Sequence, residues 1–251
     1  MHFVRMEWLC DAFQSCPKIS GSFFCYPEVF FLLILMVRIL CGAALGLGCA
    51  FAALAWVREL FRKRELEYDL THKAEWLTAL AAAVLGGACA GVTAEIPAAV
   101  CGVLLLLVCV TVAVADWKHR IIPNPAVIAV FVLKLAFGIP ALCGVPGFPE
   151  FKIWQSLIGL AVCTVLFLLP GLFGKKVGAG DVKLAAAAGF FLGIYGALLA
   201  VVIMGVSVLL FSIAQRRVPV LAFLRSFIPM GPFIAFGLFA AYAAAPYVFI
   251  I

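Results

Sequence analysis

Charge is what this sequence has least of. Only 12% of its 251 residues are charged, Asp and Glu together number 12, and 67% of the chain is hydrophobic. A soluble globular domain carries about twice that charged fraction, so this class is excluded. Nucleic acid is excluded as a partner too, because the formal charge of +6 is modest and the basic residues fall in short stretches between apolar runs. Histidine is scarce, at three, and the ten cysteines contain no C-x-x-C pair. A zinc site therefore lacks its ligands, and cysteines set in apolar runs read as small buried packing residues. No G-x-S-x-G element is present, so a serine hydrolase lacks its anchor. No metal and no cofactor is expected. There is no internal repeat, and no segment between apolar runs is long enough for a separate soluble domain.

What the chain does have is apolar runs of membrane-crossing length. In lipid the backbone must satisfy its own hydrogen bonds within each span, which leaves an all-α polytopic transmembrane helix bundle of about eight spans. They are predicted at about 39–57, 76–94, 97–115, 125–142, 153–173, 182–193, 195–214 and 228–250. The sixth is too short to cross alone; with the seventh it forms either one span bent near Gly193 and Gly196 or two shorter helices. Residues 1–35 lack the basic start, single apolar core and small-residue cleavage site of a secretory signal. They read as an N-terminal extension or an over-extended reading frame ahead of one membrane domain, residues 36–251.

Loop charge sets the orientation. Arg58, Arg62, Lys63, Arg64 and Lys73 fall in one loop, Lys118 and Arg120 in a second, Lys175 and Lys176 in a third, and Arg216, Arg217 and Arg225 in a fourth. The intervening "TAEIP" and "CGVPGFPEFK" hold only Lys152 between them. Positive residues stay inside, so the four basic loops are expected in the cytoplasm, and the alternation closes if residues 182–214 cross twice.

Two of the few acids stand at the rims of apolar spans on this same side. Asp116 ends "LLLLVCVTVAVAD" and Asp181 opens "DVKLAAAAGFFLG". Ionisable groups so placed are functional candidates, because each costs a few kcal/mol near hydrocarbon when unpaired. Two carboxylates brought together share one proton; the ionised member takes a proton from water while the other polarises a carbonyl, which is aspartic peptide hydrolysis. Gly178 and Gly180 beside Asp181 let a substrate backbone come close. Plainer readings stand beside this one. Asp181 could cap a helix, and Asp116 could pair with Lys118 or Arg120. "GAGD" lacks the third glycine and preceding strand of a dinucleotide fingerprint. His119 reads as a solvated or headgroup histidine, and Lys134 as a residue that snorkels or pairs within the bundle.

At these residues the chain resembles the type IV prepilin peptidase family, membrane aspartic proteases of the GxGD class. Three stretches carry the resemblance: "DWKHRIIPN" at 116–124, "GAGDVKL" at 178–184 and "IPMGPFIAFG" at 228–237. It implies that Asp116 and Asp181 are the catalytic pair. It also implies that Gly178, Gly180, Lys183, Pro123, Asn124, Pro229, Gly231 and Pro232 shape the site or bind substrate. The implied substrates are prepilin or pseudopilin precursors, cut after a glycine that ends a short basic leader. The implied location is the inner, cytoplasmic membrane, with membrane lipids around the chain and the site facing the cytoplasm.

The pattern departs from longer members in one place. They insert a cysteine-rich domain after the first span, associated with N-methylation, where this chain has only "RELFRKRELEYDLTHKAE". A peptidase without methyltransferase activity is expected. Two other readings are a proton-coupled transporter and a non-catalytic pilus assembly factor; the transporter is disfavoured by having both aspartates at one rim.

Overall fold

The computed structural model describes residues 27–93, 95–146, 148–149, 151–172, 178–214 and 229–248. These form seven helices: α1 (Pro27–Arg62), α2 (His72–Val92), α3 (Ile96–His119), α4 (Asn124–Leu142), α5 (Ile153–Leu172), α6 (Ala179–Ala214) and α7 (Gly231–Val248). Among the described residues there is no strand. The first six helices are long and apolar enough to cross a membrane, and α7 is a shorter apolar helix. The chain is an all-helical, multi-pass membrane protein. It divides into two units, Met1–Leu35 and Met36–Ile251. Residues 1–26 and the basic residues Lys175, Lys176, Arg216, Arg217 and Arg225 lie outside the described residues, and with them most of the expected extension and two of the four expected cytoplasmic loops.

Prolines mark where helices begin. Pro97 and Pro125 sit in the first turns of α3 and α4, where a missing N–H costs nothing. Helix α1 starts well before the expected residue 39, because "PEVFFLLILMVR" continues the apolar helical run without a break. Small residues let the backbones close up: a side chain at Gly46 would run into the carbonyl of Ala82, and one at Gly42 would meet Ala90 and the Gly86 carbonyl. Helix association in lipid depends on such approach, since apolar burial gives little drive there.

Helix α3 carries the core. Leu105, Leu106, Cys109, Val112 and Ala115 along it are buried, and the Thr111 hydroxyl satisfies itself on the Leu107 carbonyl at 2.9 Å. Cys89, Cys101, Cys109 and Cys163 are buried packing residues, as their apolar surroundings in sequence predict, whereas Cys41 and Cys143 are exposed.

Helix α6 is two helices joined at a break. Gly193 has φ 72° and ψ 178°, a conformation essentially reserved for glycine. Residues 179–192 make a first arm and 194–214 a second. Ala185 and Ala197 belong to one apolar cluster with Cys163, although twelve residues of straight helix would hold them roughly 18 Å apart. The arms therefore fold back on each other. Phe211, near the end of the second arm, meets Trp117 at 6.2 Å and Phe233 at 5.4 Å. Both ends of α6 thus return to the end of the bundle where α3 finishes. Helix α5 braces the break, since a side chain at Gly159 would strike the carbonyl of Gly189 and the backbone of Gly193.

Candidate active site

Asp116 lies in the last turn of α3, where the helix is closed by Arg120 in the left-handed conformation (φ 53°, ψ 40°) with its N–H on the Asp116 carbonyl at 2.9 Å. Its side chain is 5% exposed and turns inward, where Oδ2 accepts the backbone N–H of Gly231 at 2.7 Å. Lys118, one of the cations that could have paired with it, instead donates to the carbonyl of Asp69. Ile121 and Ile122 then leave the helix and lead to Pro123, whose carbonyl accepts the Ala126 N–H at 3.0 Å and opens α4.

Asp181 is in the first turn of α6 and half-buried. The helix already begins at Ala179, so Asp181 stands inside the first turn and not at the cap. Its position there still suits the positive end of the helix dipole. Gly178 immediately precedes the helix, and a Cβ on it would stand 2.5 Å from Asp181 Oδ2. Gly180 faces α3's exit, with an added Cβ 3.1 Å from Ile122 Cβ. The end of α3, which bears Asp116, thus meets the start of α6, which bears Asp181.

Three stretches far apart in sequence therefore meet at one end of the bundle. "DWKHRIIPN" touches "GAGDVKL" through Ile122 and Gly180, and touches "IPMGPFIAFG" through Asp116 and Gly231. Pro123 is buried between α3 and α4, Gly231 is the buried first residue of α7, and Pro229 and Pro232 flank it half-buried. Asn124 and Lys183 stand exposed, and among the described residues neither hydrogen-bonds a carboxylate.

Some neighbours were not legible in the sequence. His119 is the half-exposed last residue of α3: its ring sits edge-on to Phe61 at 4.6 Å, and Nε2 lies 3.0 Å from the Glu67 carbonyl. With Lys118 it fastens residues 63–71 to the end of α3. That loop is closed on itself where the Tyr68 hydroxyl donates to Glu75 at 2.7 Å and Arg58 pairs with Glu75 while stacking over the Tyr68 ring. Burial, then the bond to Glu75, pushes the Tyr68 phenol above its ordinary range. Lys134, deep in α4, lies with Nζ 5.2 Å from the Phe151 ring and 5.8 Å from that of Phe191, a cation–π setting within the bundle.

Comparison with curated proteins and with solved structures yields no match. One protein-family match is found: residues 103–213 fit the type IV leader peptidase family. The matched stretch runs from within α3 to the end of α6, and holds Asp116, Ile122, Gly178, Gly180 and Asp181. Both carboxylates lie within the stretch that matches the type IV leader peptidase family.

Proposed function

We propose that this protein is a membrane aspartic endopeptidase that removes the basic leader from prepilin or pseudopilin precursors. It cuts after the glycine that ends the leader, at the cytoplasmic face of the inner membrane. Asp116 and Asp181 are its catalytic pair. One carboxylate takes a proton from water as the oxygen attacks the scissile carbonyl, and the other gives its proton to that carbonyl's oxygen. Gly178 and Gly180 leave room for the peptide backbone.

The observation that carries this reading is the convergence of the two aspartates, from the end of α3 and the start of α6, within a leader-peptidase segment. Carboxylates strung across the bilayer would suit a proton relay; a pair at one end suits hydrolysis of a bond near the surface.

The test is cleavage of a co-expressed prepilin with its basic leader, read by mass spectrometry, beside Asp116→Asn and Asp181→Asn at matched membrane levels. Each substitution is expected to lower cleavage by roughly 100-fold to 10,000-fold, the range for loss of a general acid or base. Full cutting by either folded variant removes that residue from the chemistry. No cutting by the wild type across pilin classes would favour an assembly factor or a transporter.

A further inference from the structure

Gly231 lies outside the family-matched segment, at the start of α7, yet its main chain reaches Asp116. The first N–H groups of a helix have no partner within it. Here the N–H groups of Phe233 and Ile234 turn back to the Met230 carbonyl at 3.1 and 3.0 Å, and Pro232 has none to offer. The Gly231 N–H is left, and it goes to Asp116 Oδ2. A Cβ at position 231 would stand 2.7 Å from Asp116 Cβ and 2.8 Å from both Cγ and Oδ2. Only a residue without a side chain brings this donor in.

Helix α7 is itself anchored. Gly237 packs on the second arm of α6, with an added Cβ 2.6 Å from the Ala200 carbonyl, and the Tyr242 hydroxyl donates to the Ala98 carbonyl at 2.7 Å. The helix hairpin that carries Asp181 on one arm thus supports, through its other arm, the donor that meets Asp116.

We propose that the main-chain N–H of Gly231 is the positioning group of the dyad. It holds Asp116 Oδ2 in one orientation and leaves Oδ1 to face water and Asp181. This role rests on the peptidase reading above. Gly231 touches no reacting atom; it acts through Asp116.

The experiment uses the full-length protein in nanodiscs, with Gly231→Ala beside Gly237→Ala, a Cβ overlap of the same kind elsewhere on α7. Gly231→Ala is expected to lower kcat by about 100-fold, the cost of a displacement near 1 Å, with KM little changed. The carboxylate stretching band of Asp116, identified by its loss in Asp116→Asn, is expected to move in Gly231→Ala and to stay in Gly237→Ala. Wild-type kcat in folded Gly231→Ala, or an unmoved band, overturns the proposal. If Gly231→Ala does not accumulate, glycine-selective 15N spectra of wild type and Asp116→Ala decide: an upfield move of the Gly231 amide proton supports the bond, and an unchanged resonance overturns it. If the wild type cuts no prepilin, the peptidase reading fails, while the infrared band still tests the contact.

Discussion

Gly178 separates the fold from the chemistry at the scale of a single residue. Besides the Asp181 carboxylate oxygen at 2.5 Å, the next nearest atoms to an added Cβ there, among the described residues, are that side chain's own Cγ and Cβ, at 3.4 and 4.0 Å. The side chain that must yield is the one proposed to react. Gly178→Ala is therefore expected to leave the melting temperature nearly unchanged while cleavage falls by about 100-fold. Parallel loss of fold and activity would contradict this. Both aspartates and the glycines between them could be read in the sequence, because rare acids at the rims of apolar runs stand out. The donor to Asp116 could not be identified there, since Gly231 lies 115 residues away and contributes a backbone atom, which no residue type encodes. The partners of His119 could not be read there for a related reason: a ring on α1 and a carbonyl in the loop come together only when that loop folds over α3.

Among the elements, α6 shows how far glycine can be interpreted in advance. Gly193 and Gly196 both mark a break, but only Gly193 takes a positive φ, 72°, whereas Gly196 stays helical beneath Leu192. Which of two nearby glycines bends a helix depends on the neighbour that packs there, and here α5 brings Gln155 and Gly159 against Gly193. Gly193→Ala places an L side chain in a region that costs about 1–3 kcal/mol. The variant is expected to unfold more readily in detergent by that amount and to cut more slowly, because the first arm sets where Asp181 lies. Unchanged denaturation and rate would show that the break tolerates a side chain. The start of α1 was legible only in part, since nothing in an unbroken apolar run says where helix begins.

For the molecule as a whole, the folded-back α6 fixes which ends share a side. With native cysteines replaced, Glu65→Cys and Ala214→Cys are expected to react with an impermeant maleimide from one face of the membrane, and Gly144→Cys and Tyr195→Cys from the other. All four native residues are exposed. Labelling of Ala214→Cys together with Tyr195→Cys would mean that α6 crosses once. The all-helical, multi-span character followed from apolar run length, but the way the helices close around one end did not. That closure is carried by small residues at crossing points, such as Gly42 with Gly86 and Gly159 with Gly189, whose significance lies in the partner backbone.

The first arm of α6 is short. From Asp181 to Gly193 it rises about 18 Å, against a hydrocarbon layer of about 30 Å. Its tip lies beside Gln155, close to the start of α5. Asp181 therefore stands at a level set by the length of this arm and not by the full thickness that the longer helices span. One glycine's backbone angle, by ending the arm at residue 193, thus sets how far along the bundle Asp181 is carried.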